Sequence, residues 1–396
     1  MLSRRTAHGL DWLFFFVADL QTGFGPFIAV YLTRQSWTQA QLGLVLGIGT
    51  VSAMLAQVPA GMLVDSIRGK ATAASVALLG IGASAALMAW SPAFWSVTLA
   101  QVVHGFASCM LNPALAALTL GLVSTAALAE RLGRNARFAA IGSAAGAVLM
   151  GLCGTYVSSR AVFWLAALLC VPALFALRSL RRGTASPAAA QLPAIPPRES
   201  VKDVCKDPRL MAFLACTLLF QLANAAMLPL AAVEITKRSD QRASLIIAAC
   251  ILVPQMIVAL LSPFAGRAAD RWGRRTVLLV GFCALPARAF LLSVVTNPYG
   301  IVAVQALDGL GGAAFGVITP LVAADISGDG GRFNLRMGVL GLATGLAATA
   351  STIAAGAIAT DLGSPTAFAA LALAGICAVV TVAAAMPETR PVLAPA

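Results

Sequence analysis

Four side chains able to carry charge stand inside long apolar runs of this 396-residue chain: Asp19, His104, Arg288 and Asp308. A charge at the centre of hydrocarbon costs ~2.5–3.5 kcal/mol on insertion scales, so each of them needs a cavity or a partner. Asp19 lies roughly 10 Å into its run at 1.5 Å per residue. Gln21, Gly23, Gly25 and Pro26 follow it, a stretch that kinks or loosens a helix. A carboxyl so placed suits the uptake and release of a proton, and that role is favoured over a structurally paired acid. His104 can exchange a proton near neutral pH and equally well fill a helix interface. Asp308 has Gln305 one turn before it and Gly309, Gly311, Gly312 and Gly316 around it. Arg288, after Pro286, either pairs with Asp308 or serves as a buried bracket or a snorkelling side chain. Gln101, Asn112, Gln221, Asn224 and Gln255 add neutral donors and acceptors suited to orienting a polar ligand. The pairs Asn112-Pro113 and Thr319-Pro320 predict breaks in their helices. Glu234 and Asp325, near run ends, read as interfacial.

A second constellation is charged and repeated. The stretch Gly266-Arg267-Ala268-Ala269-Asp270-Arg271-Trp272-Gly273-Arg274-Arg275 has a degraded copy 205 residues earlier, Gly61-Met62-Leu63-Val64-Asp65-Ser66-Ile67-Arg68-Gly69-Lys70. Each copy joins the end of one apolar run to the start of the next. At the same offset Phe15 corresponds to Phe220, Ala18 to Ala223 and Asp19 to Asn224; at 204, Gln101 corresponds to Gln305 and His104 to Asp308. The two halves of the chain therefore place polar residues at equivalent depths, as an internal duplication would. Gly61 and Gly266 allow close backbone approach. Asp65 and Asp270, at helix ends, can accept charge-assisted hydrogen bonds from an arginine or a neighbouring helix N-terminus. Arg68, Lys70, Arg271, Arg274 and Arg275 serve either as topology anchors or as latch contacts.

The elements that carry these residues follow from composition. The chain is 59% hydrophobic and 11% charged, with a mean hydropathy of +0.88. Soluble domains hold about 25% charged residues, so this chain's solvent is lipid. Apolar runs of ~20 residues recur twelve times, near 12–33, 41–64, 71–91, 94–120, 138–157, 161–177, 210–233, 243–265, 276–296, 299–323, 334–358 and 365–386. Backbone groups must pair internally in hydrocarbon, so the runs are helices, numbered here as spans 1 to 12. The short alternating segments of a barrel are absent. Arg4 and Arg5 precede a run too long for a signal peptide, which reads as a retained first span.

With the N-terminus in the cytoplasm, 21 of the 27 lysines and arginines fall on the inner face. Arg34, Arg160, Lys237, Arg238 and Arg242 fall outside. This bias is the positive-inside rule: it puts both termini in the cytoplasm and explains the net charge of +12 without a nucleic-acid partner. Residues 179–209, rich in proline and charge, form a cytoplasmic linker between six-helix bundles at 1–178 and 210–396. The eight cysteines are scattered and read as interface fillers, with no metal spacing.

These features resemble the major facilitator superfamily. The second loop fits that superfamily's signature between its second and third helices, and the first keeps Gly61, Leu63, Asp65, Arg68, Gly69 and Lys70. The resemblance implies an all-α membrane protein with two six-helix bundles related by a pseudo-two-fold, rocking about a central site. It also implies that the two loops latch the outward-facing state by holding the bundles together on the inside. The superfamily's drug–proton antiporters carry an arginine where this chain has Gln101, and a Gly-Pro pair in span 5 where it has Gly142, Gly146, Gly151 and Gly154.

No HExxH, Gly-x-Ser-x-Gly or phosphate-binding loop occurs, which argues against a membrane enzyme, ATP hydrolysis, a metal or a cofactor. A channel fits the duplicated halves and single buried charges less well than alternating access does. The expectation is a bacterial-type inner-membrane transporter of a small solute, exporting by proton antiport through Asp19, with His104 or Asp308 as a candidate second proton carrier. The runner-up is proton-coupled or facilitated import of a polar metabolite.

Overall fold

Every described element is an α-helix, as hydrocarbon requires of a backbone with no water to bond. The computed structural model describes all residues except 1–3, 23–27, 29–30, 33–34, 36, 38, 68, 184–203, 205, 240–242, 329–331 and 391–396. Fourteen helices are described. The first six are α1 (Arg4–Thr22), α2 (Gln39–Ser66), α3 (Lys70–Trp90), α4 (Phe94–Leu122), α5 (Thr125–Tyr156) and α6 (Ala161–Gly183). Then come α7 (Pro208–Asn224), α8 (Met227–Ser239), α9 (Ala243–Trp272), α10 (Arg274–Val294), α11 (Pro298–Val304), α12 (Ala306–Ser327), α13 (Phe333–Leu362) and α14 (Ser364–Ala385).

Eleven segments among the described residues are long and apolar enough to cross a membrane. In two of them a pair of helices shares one span: α7 with α8, and α11 with α12. Span 1 is not among the eleven, since α1 ends at Thr22 and residues 23–27 lie outside the description. Two sequence expectations are corrected. Pro113 and Pro320 do not interrupt α4 and α12, which run continuously through them. A proline costs one intrahelical bond, which a packed span tolerates; the breaks fall instead at Gln305 and around Ala225. Span 5 was expected from residue 138, whereas α5 begins at Thr125, because its first turns carry charges that sequence reading assigned to a loop.

The packing divides the chain into two units. One comprises Met1–Arg131, Phe138–Arg198 and Arg332–Gly341; the other comprises Leu132–Arg137, Glu199–Gly331 and Leu342–Ala396. In the first, α1 and α3 pack on α6, and α2 and α3 pack on α4. In the second, α7 and α10 pack on α14, and α9 and α10 pack on α12. Helix for helix these are the same four pairings, which is what duplication predicts.

The first unit's core interlocks Leu10, Leu13 and Leu20 of α1 with Ala73, Leu78 and Ile81 of α3 and Ala166, Ala173 and Leu177 of α6. In the second, Phe220, Phe282 and Phe315 cluster, with ring centroids 4.4 Å apart for Phe220–Phe315 and 4.8 Å for Phe220–Phe282. Leu55, Trp90, Trp95 and Tyr156 stand largely exposed. The aromatic three lie at span ends, where an interfacial belt would place them.

Close approach of α1 and α5 depends on glycine. A Cβ at Gly142 would run into the backbone of Phe15, whereas one at Gly151 would meet nothing within 4 Å. Gly142→Ala is therefore expected to lower stability by about 1–3 kcal/mol through overpacking. Gly151→Ala should be neutral or stabilising on helix propensity. Thermal unfolding in detergent checks both, and an equal response would mean that α1 and α5 are not in tight contact.

Candidate functional site

In the first unit Asp19 is 3% exposed and lies on α1 against Gly146 of α5, where any side chain would strike its Oδ1. That oxygen is buried without a hydrogen-bond partner among the described residues. Gln101, buried on α4, lies over Gly49 of α2, where a Cβ would come within 3.1 Å of its Nε2. His104 shares a hydrogen bond of 3.2 Å with Ser108 one turn on. Asn112 is exposed, and the side chain of Gln21 lies outside the described residues. Lower on α1, Asp11 pairs with Arg131 of α5 at 2.7 Å, both buried, and Arg131 Nη1 also donates to the carbonyl of Ala7 at 3.2 Å.

The second unit gathers its polar residues around one base. Arg288 of α10 is 1% exposed. Its Nη1 donates to Asp308 Oδ1 at 2.5 Å and to Asn224 Oδ1 at 2.6 Å. Its Nε and Nη2 both donate to Gln305 Oε1, at 3.0 and 2.6 Å. Three residues expected to line a polar site, on α7, at the α11–α12 break and on α12, thus converge on Arg288. Of the roles open to that arginine from sequence, pairing with Asp308 is the one adopted. The break at Gln305 turns its side chain toward α10. Gln221 and Gln255 are half-buried and do not bond to this cluster.

The two loops differ in what their acids hold. Asp65 reaches the first turn of α13: Oδ1 accepts from Asn334 Nδ2 at 2.6 Å and Asn334 N at 3.2 Å, and Oδ2 accepts from Leu335 N at 2.9 Å. It supplies to α13 what an N-cap residue supplies to its own helix, an acceptor for orphan N–H groups and a negative charge at the positive end of the dipole. Gly61 makes room, since a Cβ there would strike the Asn334 carbonyl; Gly338 lies equally close to the Gln57 carbonyl. At the 205 offset the same fit recurs within the second unit, with Gly133 against the Ser262 carbonyl. Lys70 Nζ closes the end of α2 by donating to the carbonyls of Val64 at 2.6 Å, Ile67 at 3.1 Å and Asp65 at 3.3 Å. Arg68 lies outside the described residues.

Asp270 accepts from Arg274 Nη1 at 3.2 Å, within its own loop. Arg274 is buried and also holds Asp325 of α12 at 3.0 Å through Nε. The expectation that Asp325 is merely interfacial is corrected: its carboxylate is 4% exposed and also accepts from Thr389 Oγ1 at 3.2 Å. Gly273, with φ +93, turns the chain into α10, and the backbone N–H groups of Arg274 and Arg275 donate to Glu388 at 2.9 and 3.2 Å. Arg275 donates to the Ala383 carbonyl, and Arg390 Nη1 to the Arg271 carbonyl at 3.2 Å. Gly266 is buried; Arg271 is exposed.

Sequence reasoning missed Asn334, Glu388, the Asp11–Arg131 pair and the hub position of Arg288. One signal was available: Arg131 and Arg336 match at the 205 offset, and both are buried. Nothing local announces Asn334 or Glu388.

A duplicated set of apolar helices, with polar clusters in the spans and an acid-bearing loop in each half, defines a polytopic transporter of small solutes. The chain belongs to the Major Facilitator Superfamily, whose sequence profile matches residues 11–253 and 216–395. It is 36% identical to an uncharacterized MFS-type transporter of Mycobacterium tuberculosis, found in strains CDC 1551 and H37Rv, over 97% of this chain and 94% of the relative. Among solved structures it is similar to the human organic anion transporter MFSD10 (TETRAN), with a TM-score of 0.71, 15% identity, and coverage of 96% of this chain and 99% of that one. It is similar also to the proton:xylose symporter XylE bound to 6-bromo-6-deoxy-D-glucose, with a TM-score of 0.73, 13% identity, and coverage of 97% and 95%. At these identities the likeness is one of fold.

Proposed function

We propose that this transporter exports a small solute across the cytoplasmic membrane by alternating access, in exchange for protons carried on Asp19. The observation that carries this reading is the Asp19 carboxyl, buried at span depth with an oxygen that no described group satisfies. A permanently ionised acid in that place would want a cation, whereas an acid that cycles between charged and neutral needs a seat that tolerates both. Gly146 supplies such a seat: it brings α5 up to the carboxyl and offers it no partner.

The loops supply the conformational half of the cycle. Asp65 holds the start of α13 when that helix is seated and releases it when the cytoplasmic side opens, so one state carries three hydrogen bonds that the other lacks. A difference of that kind is what an alternating-access equilibrium needs to be biased. The bias of lysine and arginine supports a cytoplasmic placement of both termini.

Everted vesicles containing the protein, with the lumen acidified by respiration and followed by a pH-sensitive dye, test the reading. Panels of organic acids, amino acids, sugars and hydrophobic dyes are added in turn. An antiported solute collapses the acid lumen at a rate set by the amount of transporter. A solute that exchanges by counterflow and leaves lumenal pH untouched would overturn proton antiport.

A further inference from the structure

We propose that Arg288, Asn224 and Gln305 form an anion subsite in the second unit, where the carboxylate of an organic-acid solute takes the place now held by Asp308. The proposal goes beyond proton-coupled export. It concerns binding at equilibrium and is tested without flux, so failure of the Asp19 reading leaves it standing and its own failure leaves that reading standing.

Three observations carry it. First, the counter-ion is poorly matched to the base. A guanidinium offers five N–H donors in a fork that fits a carboxylate bidentately. Here Asp308 takes one bond to one nitrogen, and Nε and Nη2 are given to a neutral amide oxygen, Gln305 Oε1. The fork edge that would grip a carboxylate best therefore holds a neutral group.

Second, the groups around the base other than Asp308 carry no fixed charge. Gln305, with 0% exposure, turns Oε1 to Arg288, and Cys250 of α9 interacts with both Gln305 and Arg288 through a thiol that brings no fixed charge to compete with a bound anion.

Third, the acid and the base differ in access. The Asp308 side chain is 28% exposed and that of Arg288 is 2% exposed. The exposed part of Asp308 leaves the acid room to move while the base stays held by Asn224 and Gln305, so a ligand carboxylate that displaces it meets a formed seat.

The corresponding positions of the first unit carry no such set of residues. At the 205 offset Arg288 corresponds to Ala83 and Asn224 to Asp19, so that unit has an acid where the second has an amide and a methyl where the second has a base. The duplicated positions have diverged into one suited to a proton and one suited to an anion.

Purified protein in detergent at fixed ionic strength would be titrated with benzoate and succinate, with benzamide and succinamide as neutral matches and with chloride and inorganic phosphate as other anions. The midpoint of thermal unfolding is the readout. Asp308 acts as a tethered competitor at millimolar effective concentration. Asp308→Asn should therefore strengthen carboxylate stabilisation at least about tenfold, and Arg288→Gln should remove it. A response to carboxylates but not to their amides in the wild type, lost in Arg288→Gln, supports the proposal even if Asp308→Asn does not fold. A response to chloride or phosphate equal to that of the carboxylates overturns carboxylate selectivity. Identical titrations of wild type and Arg288→Gln, whether responsive or flat, overturn the subsite.

Discussion

Asp19→Asn is expected to abolish proton-driven transport while leaving the protein at least as stable as the wild type. The two halves of that statement have one cause. Asparagine is nearly isosteric with aspartate but binds no exchangeable proton, so a carrier of the coupling ion loses its function outright. The stability half follows from the missing partner. If Asp19 were one side of a structural ion pair, neutralising it would strand the other charge at a cost of about 3–5 kcal/mol. No base lies against it among the described contacts, and Oδ1 has no hydrogen-bond partner among the described residues. Removing a charge from hydrocarbon instead recovers some of the ~2.5–3.5 kcal/mol that insertion of a carboxylate costs. The measurements are dye-reported proton flux in everted vesicles and thermal unfolding of the purified variant. Unchanged flux would remove Asp19 from the mechanism. Lost flux with a fall in unfolding temperature would make it a structural acid.

Asp65→Asn is expected to shift the conformational equilibrium away from the state in which α13 is seated. Asp65 makes three hydrogen bonds there, and its charge faces the positive end of a helix. A hydrogen bond to a charged group contributes about 1.5–3 kcal/mol and the helix-end charge about 0.3–1 kcal/mol. Asparagine keeps a neutral acceptor, so a loss of ~2–3 kcal/mol is the scale expected, a shift of ~30- to 150-fold in population. Cysteines placed at the two mouths and labelled from each side would report it as faster labelling on the cytoplasmic side. Asp270 bonds to Arg274 at 3.2 Å within its own loop, and Arg274 also keeps Asp325. Equal labelling of the wild type and Asp65→Asn would reduce the first loop to a topology anchor.

What could be read from sequence was what depends on neighbours along the chain. Apolar runs, the glycine–acid–base loops and the half-length repeat are all local patterns, and they led to spans and family. What could not be read depends on which face of one helix meets which face of another. Arg288 had several plausible roles because spacing fixes its face on α10 but not the helix opposite; only packing against α12 and the break at Gln305 bring its partners in. Asp65 meets Asn334 across 269 positions of sequence, beyond any local signal. The start of α5 was misplaced for a related reason: Arg131 looks like a loop residue until Asp11 is found beside it. Pro113 misled because proline disfavours helix locally, while a span surrounded by other spans has nowhere else to go.

The exchange of short pieces between the units bears on how the chain is made. Residues 332–341 belong to the unit built mostly from the chain's first half, and residues 132–137 to the one built from its second. During synthesis the Asp65 carboxylate cannot meet Asn334 until more than a hundred residues beyond the first unit's main body have left the ribosome. A gene cut in the linker would put Asp65 on one polypeptide and Asn334 on the other, so a contact made within one chain would have to be made between two.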